Sequence, residues 1–286
     1  MKQLLILSGK GGTGKTTIAS AFIKLSNAKA YSDCDVDAPN LHLITNQKTS
    51  SKNHDFYGLE KAEINLDLCI DCGLCKTHCR FDAINKDIKG YHVNYFSCEG
   101  CSVCAKICPT NAITMKPAVA GELELYNNET VFSTAKLKMG SGNSGLLVME
   151  VKKQMKDNSN ADFAIIDGSP GIGCPVIASL SGVDMVLIVA EPSVSGINDM
   201  ERIIETAYKF DPKIVVCINK YDTNIKNSEN IKAYCIENDL MFVGEIPYDN
   251  MAIKAVNQGK SIVDVDCISG KAVKEIYNKT LEILFN

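Results

Sequence analysis

The chain is 286 residues long, 45% of them apolar, and carries a formal net charge of −4. That length admits one large domain or two small ones around a substantial core. The mixed charge excludes a binder of nucleic acid that works by bulk positive charge, and no run approaches the ~20 apolar residues that span a bilayer, so neither nucleic acid nor membrane is an expected partner.

The first element is the apolar run in MKQLLILSGKGG, which leads straight into glycines. It reads as a β-strand and not as an export signal, and the chain is expected in the cytoplasm. Further runs at 162–167, 184–191 and 213–220 join 3–8 as expected buried parallel strands. Helical spacing covers 14–26, 145–157, 196–210, 225–239 and 270–285. This alternation predicts an α/β fold with a mostly parallel sheet. Residues 45–120 break the rhythm: a polar, linker-like 46-NQKTSSKN-53 precedes two cysteine clusters. Then 122-ELELY-126 and 129-ETVFSTAKL-137 read as a hairpin turning at Asn127–Asn128. The expected organisation is one nucleotide-binding domain, 1–58 and 118–286, interrupted by an inserted module at 59–117.

In 8-SGKGGTGKTT-17 the pattern G-x-x-x-x-G-K-[ST] is met by Gly9, Gly14, Lys15 and Thr16, after a strand and before a helix. Backbone N–H groups must close around phosphate oxygens there, so side chains must be absent, and the helix N-terminus adds partial positive charge. The whole loop, with Lys10, Gly11, Gly12, Thr13 and Thr17, is expected around the nucleotide. Lys15 would reach the β- and γ-phosphates and the Thr16 hydroxyl would ligate Mg²⁺.

The second lysine of KGGTGKTT, Lys10, resembles the signature of the deviant Walker A ATPases, the MinD, ParA and nitrogenase-iron-protein superfamily that also includes the iron–sulfur scaffold ATPases. The resemblance implies that Lys10 crosses a dimer interface to the other subunit's nucleotide, in a homodimer or a heterodimer with a paralogue, and shares catalysis with Lys15. The stretch 33-DCDVDAPNL-41 stands where that family has switch I. Asp33 would face Mg²⁺, and Asp35 would orient the attacking water. Asp167, ending FAIID before GSPG, resembles the Walker B aspartate that leads into switch II, a third Mg²⁺ contact. In 218-INKYDTN-224 the resemblance implies that Asn219 contacts adenine. NKxD is also the guanine-reading motif, with Asp222 as the guanine partner, so GTP stays open beside ATP, which Lys10 favours.

Thirteen cysteines are many for this length, and eight fall in two clusters. Without an export signal they read as metal-ligating thiolates in a reducing compartment. C-x2-C-x2-C-x3-C occurs at Cys69–Cys79 and again at Cys98–Cys108, where Pro109 follows. It resembles the bacterial two-cluster ferredoxins, in which three thiolates from one loop meet three corners of a cubane and the fourth cysteine ligates the other cluster. That implies one [4Fe–4S] cluster on Cys69, Cys72, Cys75 and Cys108, and another on Cys98, Cys101, Cys104 and Cys79. Zinc is the rival, but structural zinc sites prefer two separated pairs. Arg80 departs from the pattern where the second copy has Pro109, a change expected to affect polarity near Cys79 and not cluster type.

Weaker features complete the reading. Cys174, seven residues after Asp167, is expected either to pack or to meet a dimer partner or a partner's metal centre. Cys34, Cys217, Cys235 and Cys267 read as core. Ser144, after the glycine-rich 140-GSGNSG-145, would cap a helix. The C-terminal helix, apolar at Val273, Ile276, Tyr277, Leu281 and Leu284, reads as a core helix and not a basic membrane anchor. His42, His54, His78 and His92 show no metal spacing. The whole chain resembles MinD-superfamily ATPases with an inserted two-cluster ferredoxin domain. The implied function is an ATPase whose nucleotide state gates electron transfer to a redox partner or a metallocofactor protein. A maturation factor and a non-redox positioning ATPase with structural clusters are the alternatives. The absence of the scaffold ATPases' C-terminal CxxC weighs against the former.

Overall fold

In the computed structural model, residues 1–45, 47 and 50–286 are described. The apolar run after Met1 forms β1 (Lys2–Leu7), whose last four residues are fully buried. The P-loop stretch turns the chain into α1 (Lys15–Ser26), followed by β2 (Ala30–Asp33) and a short α2 (His42–Thr45). Asn46, Lys48 and Thr49 of the expected linker lie outside the described residues. Its last residues instead open β3 (Lys52–Tyr57), in which Phe56 alone is buried, so a polar segment can still serve as an edge strand. Then come β4 (Lys61–Ile64), α3 (Leu74–Thr77), β5 (Ile84–Asp87), β6 (Gly90–Val93), α4 (Val103–Ile107) and β7 (Ile113–Lys116). The chain continues through β8 (Val119–Asn127), β9 (Val131–Leu137), α5 (Ser144–Asp157), β10 (Phe163–Asp167) and α6 (Cys174–Leu180). It ends with β11 (Met185–Ala190), α7 (Val194–Ala207), β12 (Lys213–Asn219), α8 (Ile225–Glu237), β13 (Met241–Ile246), α9 (Asn250–Asn257) and α10 (Ile268–Phe285).

These elements fall into two units, one of residues 1–53, 123–136 and 144–286, the other of 54–122 and 137–143. The first is an α/β unit. Its sheet contains the strand order β13-β12-β11-β1-β10-β2-β9. The pairs from β13 through to β9 are all parallel. Alternation along β1 sends Leu4 and Ile6 to a core shared with Phe22 of α1, Leu187, Val215, and Val273 and Ile276 of α10. Tyr277 and Leu281 pack against that core, so the C-terminal helix is a core helix. The expected strand at 129–137 forms β9, which pairs with β2, Ala30 opposite Val131, and is buried over its first five residues. Cys34, Cys217, Cys235 and Cys267 are all buried.

The second unit is built from two antiparallel ribbons, β4 with β7 and β5 with β6. One short helix follows within each cysteine motif, α3 and α4, each entered through a left-handed residue, Gly73 or Ser102. Its small core joins Ala62, Ala83, Ile84 and Ile113 to the thiols of Cys75 and Cys98.

Candidate functional site

Parallel strands place their carboxyl ends together, and that edge is where ligands bind in such sheets. Asp33 and Asp167 are register partners at the ends of β2 and β10, and Ile6 sits opposite Asp167 on the other side. Between β1 and α1 the P-loop stretch is tightly held. Gly14 has φ +92°, and an added Cβ would lie 2.3 Å from Asn219 Nδ2. Asn219 approaches that closely because its amide donates to the Thr13 carbonyl at 2.6 Å. At Gly9 a Cβ would lie 2.2 Å from that of Asp199. Glycine at both positions follows from this packing.

Lys15 is buried and its ammonium is ion-paired with Asp167, itself fully buried. Thr16 Oγ1 lies 3.4 Å from the same ammonium. Among the described residues the second Asp167 oxygen, Oδ2, has no hydrogen-bond partner, and neither has the buried Thr13 hydroxyl. Asp33 is committed differently. Oδ1 accepts from the Asp35 N–H at 3.0 Å, and Oδ2 from those of Asn40 and Leu41 at 2.9 Å. Asp33 thus organises the backbone of 33–41. Burial, with the charge of Asp167 beside it, pushes its carboxyl up to about 7. Burial also raises the half-buried Asp35, against the pull of Lys15. The loop after β10 is tied to the same edge, with the Gly168 N–H donating to Ile6 O and that of Gly171 to Ser8 O, both at 3.0 Å.

Lys10 folds back within its own chain. Its ammonium lies 2.7 Å from Glu191 and 3.0 Å from Ser193 Oγ. Lys220 flanks the same carboxylate at 3.5 Å and donates to the Gly12 carbonyl at 3.0 Å. Burial works against the charged form of Glu191, but these two lysines hold its carboxyl below the usual range. Sequence reasoning did not single out Glu191 or Lys220. Their neighbourhood was visible only in the runs AEPSVSG and INKYDTN. Lys152 was likewise missed. Its ammonium donates to the carbonyls of Ser179 and Ser181 at 2.6 Å, at the end of α6, and burial pulls it down to about 8.

Beside the loop lies a cavity of about 270 Å³ walled by Gly12, Gly14, Thr17, Asn219, Pro247 and Val256. Asp222 does not line it, because its carboxylate accepts from the Tyr248 N–H at 2.7 Å. Cys174 opens α6 and is exposed.

In the second unit each cysteine quartet lines its own cavity. One is walled by Cys69, Cys72, Cys75 and Cys108, the other by Cys79, Cys98, Cys101 and Cys104. The fourth thiol of each motif thus stands with the first three of the other. Cys108 Sγ also accepts from the Ala112 N–H at 3.3 Å. Among the described residues no three His, Cys, Asp or Glu side chains are arranged to hold a metal ion. Four thiolates on one zinc would lie about 3.8 Å apart, from a Zn–S bond of about 2.3 Å in a tetrahedron. A cubane would instead present four irons to four thiolates, which would have to surround a space.

Residues 4–262 match the family described as the CobQ/CobB/MinD/ParA nucleotide binding domain. An uncharacterized protein of Methanocaldococcus jannaschii is 33% identical over 287 residues, covering 99% of this chain and 97% of its own. The septum site-determining protein MinD of Pyrococcus horikoshii, solved with Mg-ADP, superposes with a TM-score of 0.59 at 17% identity, covering 99% of this chain and 96% of that one, and so shares the fold. Pyruvate synthase subunit PorD of Thermotoga maritima is 39% identical over 57 residues, 19% of this chain and 56% of its own. The chain belongs to the CobQ/CobB/MinD/ParA nucleotide-binding domain family, within the superfamily of MinD/ParA-type P-loop ATPases.

Proposed function

We propose that this chain is an ATP-hydrolysing iron–sulfur protein that couples its nucleotide state to electron transfer through two [4Fe–4S] clusters, toward a partner protein or a metallocofactor. The observation that carries the reading is the sorting of eight cysteines into two cavities, each drawing three thiols from one motif and the fourth from the other. The likeness to PorD over a short stretch agrees with it. The clusters would supply one-electron chemistry at low potential. The cysteines that would hold them include Cys75 and Cys98 of the small core.

At the nucleotide edge, the P-loop N–H groups would bind the phosphates. Lys15 exchanges Asp167 for phosphate oxygens, which leaves the Asp167 carboxylate and the Thr16 hydroxyl to hold Mg²⁺. Asp33 keeps switch I in place and faces the same edge, and Asp35 would orient the water that attacks the γ-phosphorus as the bond to the β-phosphate oxygen breaks. The base would enter the cavity beside Asn219. Asp222 accepts from the Tyr248 N–H and does not line that cavity, which speaks against guanine reading by the NKxD aspartate and favours ATP. Lys10 would leave Glu191 to reach a second subunit's nucleotide, making dimer formation depend on ATP. In chain order the cysteine module lies between switch I and switch II, the segments that respond to the γ-phosphate. Cys174, which is exposed, would meet that partner from the end of switch II.

The test is anaerobic reconstitution with iron and sulfide, followed by iron analysis and electron paramagnetic resonance. The expected result is about eight irons per chain and two reducible cubane signals, as two clusters require. One zinc and no reducible signal would overturn the reading. Quantitative transfer of the clusters to an apo-acceptor would replace it with a maturation role.

A further inference from the structure

Lys61, the first residue of β4, is only 8% exposed. Its ammonium donates to the carbonyl of Cys98 and lies 5.7 Å from the ring centroid of Tyr95. Among the described residues no carboxylate pairs with it. The other lysines on the ribbons of this unit differ. Lys86 is half-exposed and paired with Asp71, and Lys116 lies at the surface 3.9 Å from Glu63. A buried ammonium held by one carbonyl and the face of a ring is costly unless a negative charge accompanies it. The next residue, Ala62, lines the cavity of Cys79, Cys98, Cys101 and Cys104. Four thiolates gathered there bring a net negative charge, the one compensation that Lys61 lacks.

We propose that Lys61 is the built-in counter-charge of this second quartet, holding the potential of a cluster there above that of a cluster on Cys69, Cys72, Cys75 and Cys108. The inference rests on the two-cluster reading above. One-electron reduction by a low-potential donor adds one negative charge to the site and makes or breaks no bond. A fixed cation nearby favours the reduced form. The first quartet has the Ala112 N–H and the Thr110 hydroxyl beside Cys108 but, among the described residues, no buried cation, since Lys86 is half-exposed and already neutralised by Asp71. A whole buried charge outweighs the hydroxyl and backbone N–H dipoles around the first quartet, so the two sites are unequal and electrons entering the module settle on the second. Lys61 is thus a positioning residue for electron flow, not a ligand.

The test is a redox titration of the reconstituted full chain with dithionite and mediators, followed by paramagnetic resonance, for the natural chain and for Lys61→Met, Lys61→Arg and Lys86→Met. Lys61→Met is expected to lower only the higher of the two midpoint potentials, so that the reduced-to-oxidised ratio of that cluster at a fixed potential falls at least tenfold, about 59 mV for a one-electron couple. Lys61→Arg restores it, and Lys86→Met moves neither. Potentials that stay put, or that move together, overturn the inference, as does an arginine that fails to restore. If Lys61→Met cannot retain one cluster, retention at the natural potential by Lys61→Arg still supports the counter-charge, whereas loss in both variants shows a packing role and overturns it. Should the natural chain take up no iron, the two-cluster reading itself fails, and the iron count shows this before any potential is measured.

Discussion

Gly14 and Asn219 form a coupled pair whose energetics are calculable. In Gly14→Ala the new Cβ must adopt φ near +92° and stands 2.3 Å from Asn219 Nδ2. The left-handed backbone costs an alanine about 1–2 kcal/mol, and relief of the clash breaks the bond from Asn219 to the Thr13 carbonyl, worth about 1 kcal/mol. The loop escapes by leaving its phosphate-binding shape, so a total of about 2–3 kcal/mol is drawn from Mg-ATP affinity, roughly a 30- to 150-fold rise in Kd. Asn219→Ala alone loses the same bond, about a fivefold rise. The double variant loses that bond only once. Its penalty is expected to fall about 1 kcal/mol short of the sum of the two singles, outside the roughly 0.3–0.5 kcal/mol within which independent sites add. Isothermal calorimetry on the four proteins measures the cycle. Strict additivity would refute the view that Asn219 acts by clamping the P-loop.

Other expectations concern charges and thiols. Asp222→Asn should leave the preference for ATP over GTP unchanged in competition binding, since that carboxylate serves the Tyr248 backbone; a changed preference would reinstate base reading by Asp222. Glu191→Gln removes the partner of Lys10. Because the pair is partly exposed, the gain is modest, about a two- to fivefold tightening of ATP-dependent self-association in sedimentation. Asp33 has a raised carboxyl, so between about pH 4 and 7 the native chain holds a proton that the unfolded chain has released. Stability therefore falls with rising pH across that window, by at most about 1.4 kcal/mol per pH unit, and Asp33→Asn should remove that slope from nucleotide-free unfolding curves. Single serine replacements of Cys72 or Cys101 should each disturb one cluster and spare the other, read by iron content and paramagnetic resonance.

The parts of the sequence that spoke clearly are those whose chemistry is local. β1, β10, β11 and β12 are short apolar runs buried on both faces, and the P-loop pattern needs only its own glycines and lysine. β13 was missed because Gly244, at φ +146°, breaks its run beside a register shift, and only two of its six residues, Val243 and Ile246, are buried. α6 and α9 are one or two turns long, too short for a periodic signal. The pairing of Lys10 with Glu191, the grip of Asp222 on Tyr248, the commitment of Asp33 to switch I and the burial of Lys61 all depend on where distant chain segments meet. The crossing of the fourth cysteine to the other motif was legible only through resemblance, because nothing in the spacing itself states it.

The coupling of nucleotide to electrons is tested most directly by measuring the cluster midpoint potentials and the rate of electron delivery to a one-electron acceptor in three states: without nucleotide, with Mg-ADP, and with a non-hydrolysable Mg-ATP analogue. Coupling predicts that the ATP-analogue state differs from the other two in at least one of these quantities. Identical potentials and identical rates in all three states would contradict it.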